Sequence, residues 1–268
     1  MPFLDHIREL RKRIFYCFLA ATAGFSLAYG FFEQYIHHFT DPFIAEYHEA
    51  TRDVDWESLS PEEQKEVVKV GMKVDSIVEA FMVRFKASFL VGLVATFPIH
   101  LYHIIAFIVP ALTGKEKKYF KFFLLGGIAL ALLGGYLAYF QVLELAVFFL
   151  AKFVPEGVAT LLNYEKTIKF VFQLIFAFVV LFQIPLVLLI LMAMNLVKRS
   201  TLLGGGRYFI VGIFVVSAVA TPPDVVSQVM LSVPLVILFY VAIFVAKVMG
   251  FGEDDPEPDE TEALVPAD

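Results

Sequence analysis

The sequence predicts an all-α, polytopic membrane protein with about six transmembrane helices, the last two short. Three observations carry that prediction. Apolar residues make up 59% of the chain and charged residues only 18%, unlike any soluble domain of this length. Runs of the ~20 apolar residues needed to cross a bilayer recur along it. Bases and acids are segregated into alternate connecting segments, so the formal net charge of -6 conceals two populations with different addresses.

The first span is Ile14 to Phe32. Its head, "HIRELRKRIF" from His6 to Phe15, could belong to a cleavable export signal. Such a signal has an apolar stretch of ~7–15 residues and has no use for carboxylates in its head. This run is longer, and Asp5 and Glu9 lie in the head, so it reads as a retained first helix. His6, Glu9 and Arg13 share one helical face. Glu9 and Arg13 are four apart and can pair for ~0.3–0.5 kcal/mol. On the residues alone, this is an amphipathic head anchored at the lipid surface. Cys17 is the single cysteine, which excludes an internal disulfide and suits a buried thiol.

A long acidic segment follows, from Glu33 to Glu79, with the only tryptophan, Trp56. Within it Ser60 and Pro61 form a helix start, and Val67, Val70 and Val74 recur at helical spacing, predicting a short external helix. The second span is Phe89 to Leu112, with Pro98 inside it. A basic loop carries Lys115, Lys117, Lys118 and Lys121. The third span is Phe120 to Leu150, with a glycine pair at Gly134 and Gly135. A short loop with Pro155 and Gly157 leads to the fourth, Ile168 to Val197, with Pro185 inside it. Lys198, Arg199 and Arg207 fill the next connection. Tyr208 to Ala220 and Val225 to Val248 close the set, split by "TPPD". The first of these two is short for a full span. With six spans the three basic regions lie on one side, which the positive-inside rule makes cytoplasmic, and Trp56 lies outside. Residues 1–249 then form the membrane domain, with the external loop at 33–79. Residues 250–268 hold eight acids and no base, which predicts a disordered cytoplasmic tail.

Several functions are disfavoured. No His-rich or Cys-rich metal cluster and no phosphate-binding loop is present. "GGG" at Gly204 to Gly206 lacks the strand and Lys-Ser/Thr that such a loop needs. His100 and His103 have no HExxH-type partner. No enzyme, cofactor or nucleic-acid partner is therefore expected. A small-molecule secondary transporter would need a polar path and commonly an internal repeat. Glu144 and Gln183 make a poor path, and no repeat is visible.

"DHIRELRKRI" resembles the N-terminal signature of the TatC family, the polytopic core subunits of the twin-arginine protein translocase. "EAFMVRFKASF", "TFPIHLYHIIAFIVPALTGKEKKYF" and "ATPPDVVSQVMLSVPL" resemble further family segments in the right order, covering roughly Met1 to Met249. The resemblance implies a concave bundle in a bacterial cytoplasmic membrane, a receptor for twin-arginine signal peptides of folded cargo, and export driven by the proton gradient. It implies TatA- and TatB-like single-span partners and further copies of the chain. Two arginines call for carboxylates, because guanidinium binds carboxylate bidentately. The resemblance assigns Glu9 and Glu116 to that surface, with Arg11 beside them and Phe107 and Pro110 shaping the loop base.

Polar groups at membrane depth are functional candidates by default. Gln141, Glu144, Gln173 and Gln183 qualify. The family resemblance places a glutamate where this chain has Gln183, which keeps hydrogen bonding but cannot titrate. At Glu144 the resemblance leads to proline. Glu144 either snorkels at the outer surface, pairing with Lys152, or supplies the charge that Gln183 lacks. Asp224 is placed to cap the last helix. A partner-docking role for Asp224 and Gln228 comes from the resemblance.

Overall fold

The computed structural model describes residues 3–51, 60–62, 72–108, 119–153, 162–221 and 224–253. Trp56, Val67, Val70, Pro110, Glu116 and the acidic run from Asp254 lie outside them. So does nearly all of the expected external helix, of which Pro61 and Glu62 are helical.

Helix α1 (Phe3–Gly30) is followed by α2 (Phe32–Thr51), turned by 78° at Phe31. The sequence placed the start of an outer segment here. The helix resumes because Phe32, Ile36 and Ile44 recur at helical spacing and bury one face, with Thr40 between them. Gly30 at the corner removes a side chain where the two axes part. Arg84 secures the bend by donating to the Tyr29 carbonyl at 3.2 Å and to Glu33 at 3.3 Å.

Helix α3 (Ile77–Ala95) starts twelve residues before the predicted second span. Arg84 and Lys86 interrupt the apolar run and hid this first part from the hydropathy reading, whereas the family segment "EAFMVRFKASF", read as opening the second helix, covers it. In the fold they are spent on polar partners, Lys86 pairing with Glu165 at 2.8 Å. Helix α4 (Phe97–Ile108) continues after a 54° break at Thr96, just before Pro98. The third span is α5 (Phe120–Leu137), a π-helical turn at Ala138–Val142, and α6 (Leu143–Ala151). The fourth is α7 (Tyr164–Leu181) and α8 (Ile184–Ala193), parted at Phe182 and Gln183. A short α9 (Arg199–Gly204) leads to α10 (Gly206–Ala220) and α11 (Val225–Met249).

Three helical stretches are long and apolar enough to cross a membrane: Phe120–Ala151, Tyr164–Ala193 and Val225–Met249. The bent pairs α1–α2 and α3–α4 raise this to five, and α10 adds a shorter apolar helix of 15 residues. Six apolar passages result. At 1.5 Å per residue α10 reaches only ~22 Å, less than the hydrocarbon thickness. The last helix is not short: α11 runs 25 residues and carries Pro234 within it. Large apolar side chains such as Ile14, Phe18, Leu132 and Val219 are more than half exposed, a surface that suits lipid rather than water.

The two ends of the bundle differ. At one end His6 stacks on Phe107, Phe251 packs on Tyr119 and Phe123, and the Arg199 amide donates to the Gly252 carbonyl. Among the described residues this end gathers the bases of the α1 head, Lys121 at the start of α5, and Lys198 and Arg199 before and in α9. Phe251 is buried, so the chain stays packed just past α11 before the acidic run begins. At the other end β1 (Met72–Lys73) pairs in parallel with β2 (Leu162–Asn163). Glu79 locks this end. Its carboxylate accepts from the Asp75 amide at 2.6 Å and the Glu165 amide at 3.3 Å, at the N-termini of α3 and α7. A carboxylate is favoured at both positive helix ends.

Glycines set the closest approaches. A Cβ on Gly92 would lie 2.5 Å from the Phe25 nitrogen, and one on Gly24 would lie 2.6 Å from the Gly92 oxygen. Helices α1 and α3 therefore meet backbone on backbone. A Cβ on Gly134 would lie 2.8 Å from the Phe178 oxygen, so α5 and α7 use the same device. Gly92→Ala should destabilise the detergent-solubilised protein by about 1–3 kcal/mol, the usual cost of overpacking. Gly126→Ala, with open space around it, should stay within about 0.5 kcal/mol. Reversible unfolding in mixed detergent micelles measures both.

Candidate functional site

A polar cleft opens at the basic end between the head of α1 and α4. It has a volume of about 470 Å³ and is lined by Arg8, Glu9, Lys12, Arg13, Tyr16, Tyr102 and His103. Helix periodicity puts Glu9, Lys12, Arg13 and Tyr16 on one side of α1. The antiparallel α4 meets them with the adjacent Tyr102 and His103. Ring stacking fixes the register: His6 lies 4.4 Å from Phe107 between centroids, and Tyr16 lies 5.4 Å from His103. Tyr102 meets Phe120 edge-on at 5.8 Å, tying the cleft to the start of α5.

Among the described residues Glu9 is the sole carboxylate on the cleft wall, beside three bases. Its Oε1 accepts from Arg13 Nε at 3.1 Å and from Nη2 of the same guanidinium. This is the i,i+4 pair that the sequence predicts. Lys12 sits over the Tyr16 ring at 5.9 Å. A carboxylate with flanking aromatic faces can receive a planar cation by charge-assisted hydrogen bonds and by stacking. Arg11 is exposed and does not line the cleft. Phe107 supports it from below through His6.

The remaining sites predicted from sequence are scattered. Gln183 sits at the break between α7 and α8. Its backbone amide bonds to Val180 rather than to Val179. Its side-chain Nε2 covers the released Val179 carbonyl at 3.3 Å and reaches the Gly127 carbonyl on α5 at 3.2 Å. Oε1 is buried without a partner. Glu144 lies on α6, seventeen residues beyond Gly127, or roughly 25 Å along the helix. It is exposed, and the Lys152 ammonium stands over the Phe148 ring at 4.1 Å rather than on Glu144. The fold thus does not bring Glu144 and Gln183 together.

Asp224 caps α11, accepting from the Ser227 amide at 2.6 Å, while its other oxygen is buried without a partner. Gln228 donates to the Phe214 carbonyl at 3.2 Å and Gln173 to the Ala220 carbonyl at 3.4 Å, holding α10 against its neighbours. Two parts of this picture were missed from the sequence. Tyr16, Tyr102 and His103 gave an aromatic signal near a membrane surface, which points to an interface but not to a shared cleft. Ser76 and Glu79 have capping-box spacing, a signal that was readable. Ser76 accepts from the Glu79 amide at 3.1 Å, and the Glu79 carboxylate reaches back to Asp75.

An apolar-surfaced helical bundle with a carboxylate-bearing cleft at its basic end has the make-up of a multi-pass membrane protein. The family model described as "Sec-independent protein translocase protein (TatC)" matches residues 5–234. A relative from Aquifex aeolicus with that name is 33% identical over 249 residues, 92% of this chain and 95% of the relative. One from Escherichia coli K12 is 31% identical, covering 92% and 88%. A solved structure described as "Crystal Structure of Twin Arginine Translocase Receptor- TatC" superposes with a TM-score of 0.72 at 32% identity, covering 91% of this chain and 99% of the other. The chain belongs to the TatC family and is a component of a Sec-independent protein translocase.

The Gln183 geometry gives a testable energy. Gln183→Leu should cost about 0.6–2 kcal/mol, the range for interhelical hydrogen bonds in membranes, at every pH. Gln183→Glu should fall somewhat short of the parent at acid pH, where its one O–H serves only one of the two carbonyls that Nε2 serves, and lose further stability as pH rises and that hydrogen is lost. Unfolding in mixed micelles at several pH values reads both.

Proposed function

We propose that the chain is the receptor of a twin-arginine export system and that the cleft at Glu9 receives an arginine of the signal peptide. One observation carries this reading: a carboxylate, the only one among the described lining residues, stands in a cleft open at the basic end of the bundle, flanked by aromatic rings. Glu116, in the basic loop that follows α4, is the second carboxylate. Arg13 holds Glu9 in position while no cargo is bound. Folded cargo crosses at the expense of the proton gradient, with single-span subunits of the TatA and TatB type and further copies of this chain as partners. Glu144, Gln183, Asp224 and Gln228 are the polar points for such partners. Of these Glu144 is the most open to a neighbouring helix, whereas the Gln183 amide is committed within the bundle. The membrane is the bacterial cytoplasmic membrane, with both termini and the basic loops inside.

A twin-arginine peptide should bind the detergent-solubilised protein, and Glu9→Gln or Glu116→Gln should each weaken it by about 1.5–3 kcal/mol, the worth of a hydrogen bond to a charged group. Titration with a fluorescent peptide measures this, and unchanged affinity in the double variant would remove both residues from the mechanism. A peptide whose arginines are replaced by lysines should bind less well, since lysine cannot form the bidentate fork.

The orientation has its own test. In a Cys17→Ser background, a cysteine introduced at Glu57 should react with an impermeant thiol reagent in intact cells, and one at Thr261 should stay unlabelled. The reverse pattern would invert the topology.

A further inference from the structure

We propose that Arg13 is an internal stand-in for the cargo arginine, closing Glu9 until a signal peptide displaces it. The proposal rests on the reading of Glu9 as a receiving carboxylate and adds a competitor to it. Arg13 presents to Glu9 the same planar guanidinium that cargo would bring. Both of its bonding nitrogens converge on Oε1. Among the described residues this pair accounts for every hydrogen bond and ion pair of Glu9. Arg13 and Glu9 are partly buried, with side chains 21% and 25% exposed, so an arriving arginine meets an occupied site at the mouth of the cleft.

Binding is then an exchange of one arginine–carboxylate pair for another. The guanidinium of the peptide takes the Glu9 oxygens, and that of Arg13 swings off a carboxylate four residues back on its own helix. Arg13 is the last base before the apolar run, so its freed head can snorkel to the phosphates of the lipid surface. Like replaces like, so affinity must come from what the peptide adds: its second arginine and the ring faces of Tyr16 and Tyr102. A peptide with one arginine would exchange a pair for a pair and gain little. The internal pair therefore weakens every arginine ligand of Glu9 by the same factor, and a single-arginine peptide has no second contact to offset it.

The size follows from population. An i,i+4 pair of ordinary helical strength leaves the carboxylate free roughly a third of the time, which weakens apparent affinity about threefold. Arg13→Gln should tighten binding of a twin-arginine peptide to the full chain in detergent by about threefold, and should tighten a single-arginine peptide by at least as much. In a Glu9→Gln background Arg13→Gln should tighten binding no more than Lys12→Gln does, since no Glu9 carboxylate remains to be released and only bulk charge is removed. Lys12→Gln removes the same charge from the same wall without freeing Glu9. In ~0.5 M salt, where the screening length falls to roughly 4 Å, it should tighten binding less than Arg13→Gln does. Should Arg13→Gln fail to fold, Arg13→Met keeps the apolar stem against the helix head and carries the same test.

Weaker or unchanged binding in the Arg13 variant, while Glu9→Gln still weakens the parent, overturns the exchange and leaves the receptor reading standing. Equal tightening by Lys12→Gln and Arg13→Gln in salt also overturns it, by reducing the effect to bulk charge. If Glu9→Gln leaves affinity unchanged, the receptor reading itself fails and the exchange falls with it.

Discussion

The contact of Gly24 with Gly92 governs the functional end of this molecule. In lipid no hydrophobic force presses helices together, so close van der Waals packing must hold them. A Cβ at either position would fall well inside contact distance of the opposing backbone. Helix α1 can lie this close to α3 only because both residues lack one. From that point α1 runs on to its basic head and α3 breaks into α4, so the separation of the Glu9 and His103 walls is inherited from two glycines some distance down the helices. The stacks of His6 on Phe107 and Tyr16 on His103 then fix the cleft at ring-contact spacing.

A second regularity concerns polar side chains within the bundle. Most are committed to carbonyls, several of them where a helix bends or ends. Gln183 covers Val179 at the α7–α8 break, Gln173 reaches Ala220 at the end of α10, and Arg84 holds Tyr29 at the α1–α2 corner. Thr22, Ser26 and Ser232 return to the preceding turn of their own helices. Unpaired polar groups are costly where water is absent: a carbonyl freed at a bend or helix end takes a side-chain donor, and a hydroxyl within a helix takes the carbonyl four residues back. These residues shape the helices and leave little polar surface free. The Glu9–Arg13 pair differs because it lies at the membrane surface beside an open cleft, where either partner has an alternative.

The sequence by itself determined the class. Composition, span length and the alternation of basic and acidic segments depend on transfer to lipid, a property of each segment alone, and they were legible at once. So was the Glu9–Arg13 pair, because four residues is a helical turn whatever the surroundings, and so was the Asp224 cap. The family motifs placed the chain among protein translocases without any coordinates.

Tertiary structure decided the rest. The bend at Phe31 escaped the sequence, and the early start of α3 was legible only in the family segment from Glu79 and not in the apolar run, because Arg84 and Lys86 look like solvent residues until Tyr29, Glu33 and Glu165 arrive from 50 to 80 positions away. The separation of Gln183 from Glu144 was equally hidden, since which turn of α5 faces Gln183 depends on packing at Gly127. The cleft joins residues 8–16 with residues 102 and 103, and no local pattern relates them. Local physics sets what each segment can be, but a site shared between helices exists only once distant side chains have chosen their partners.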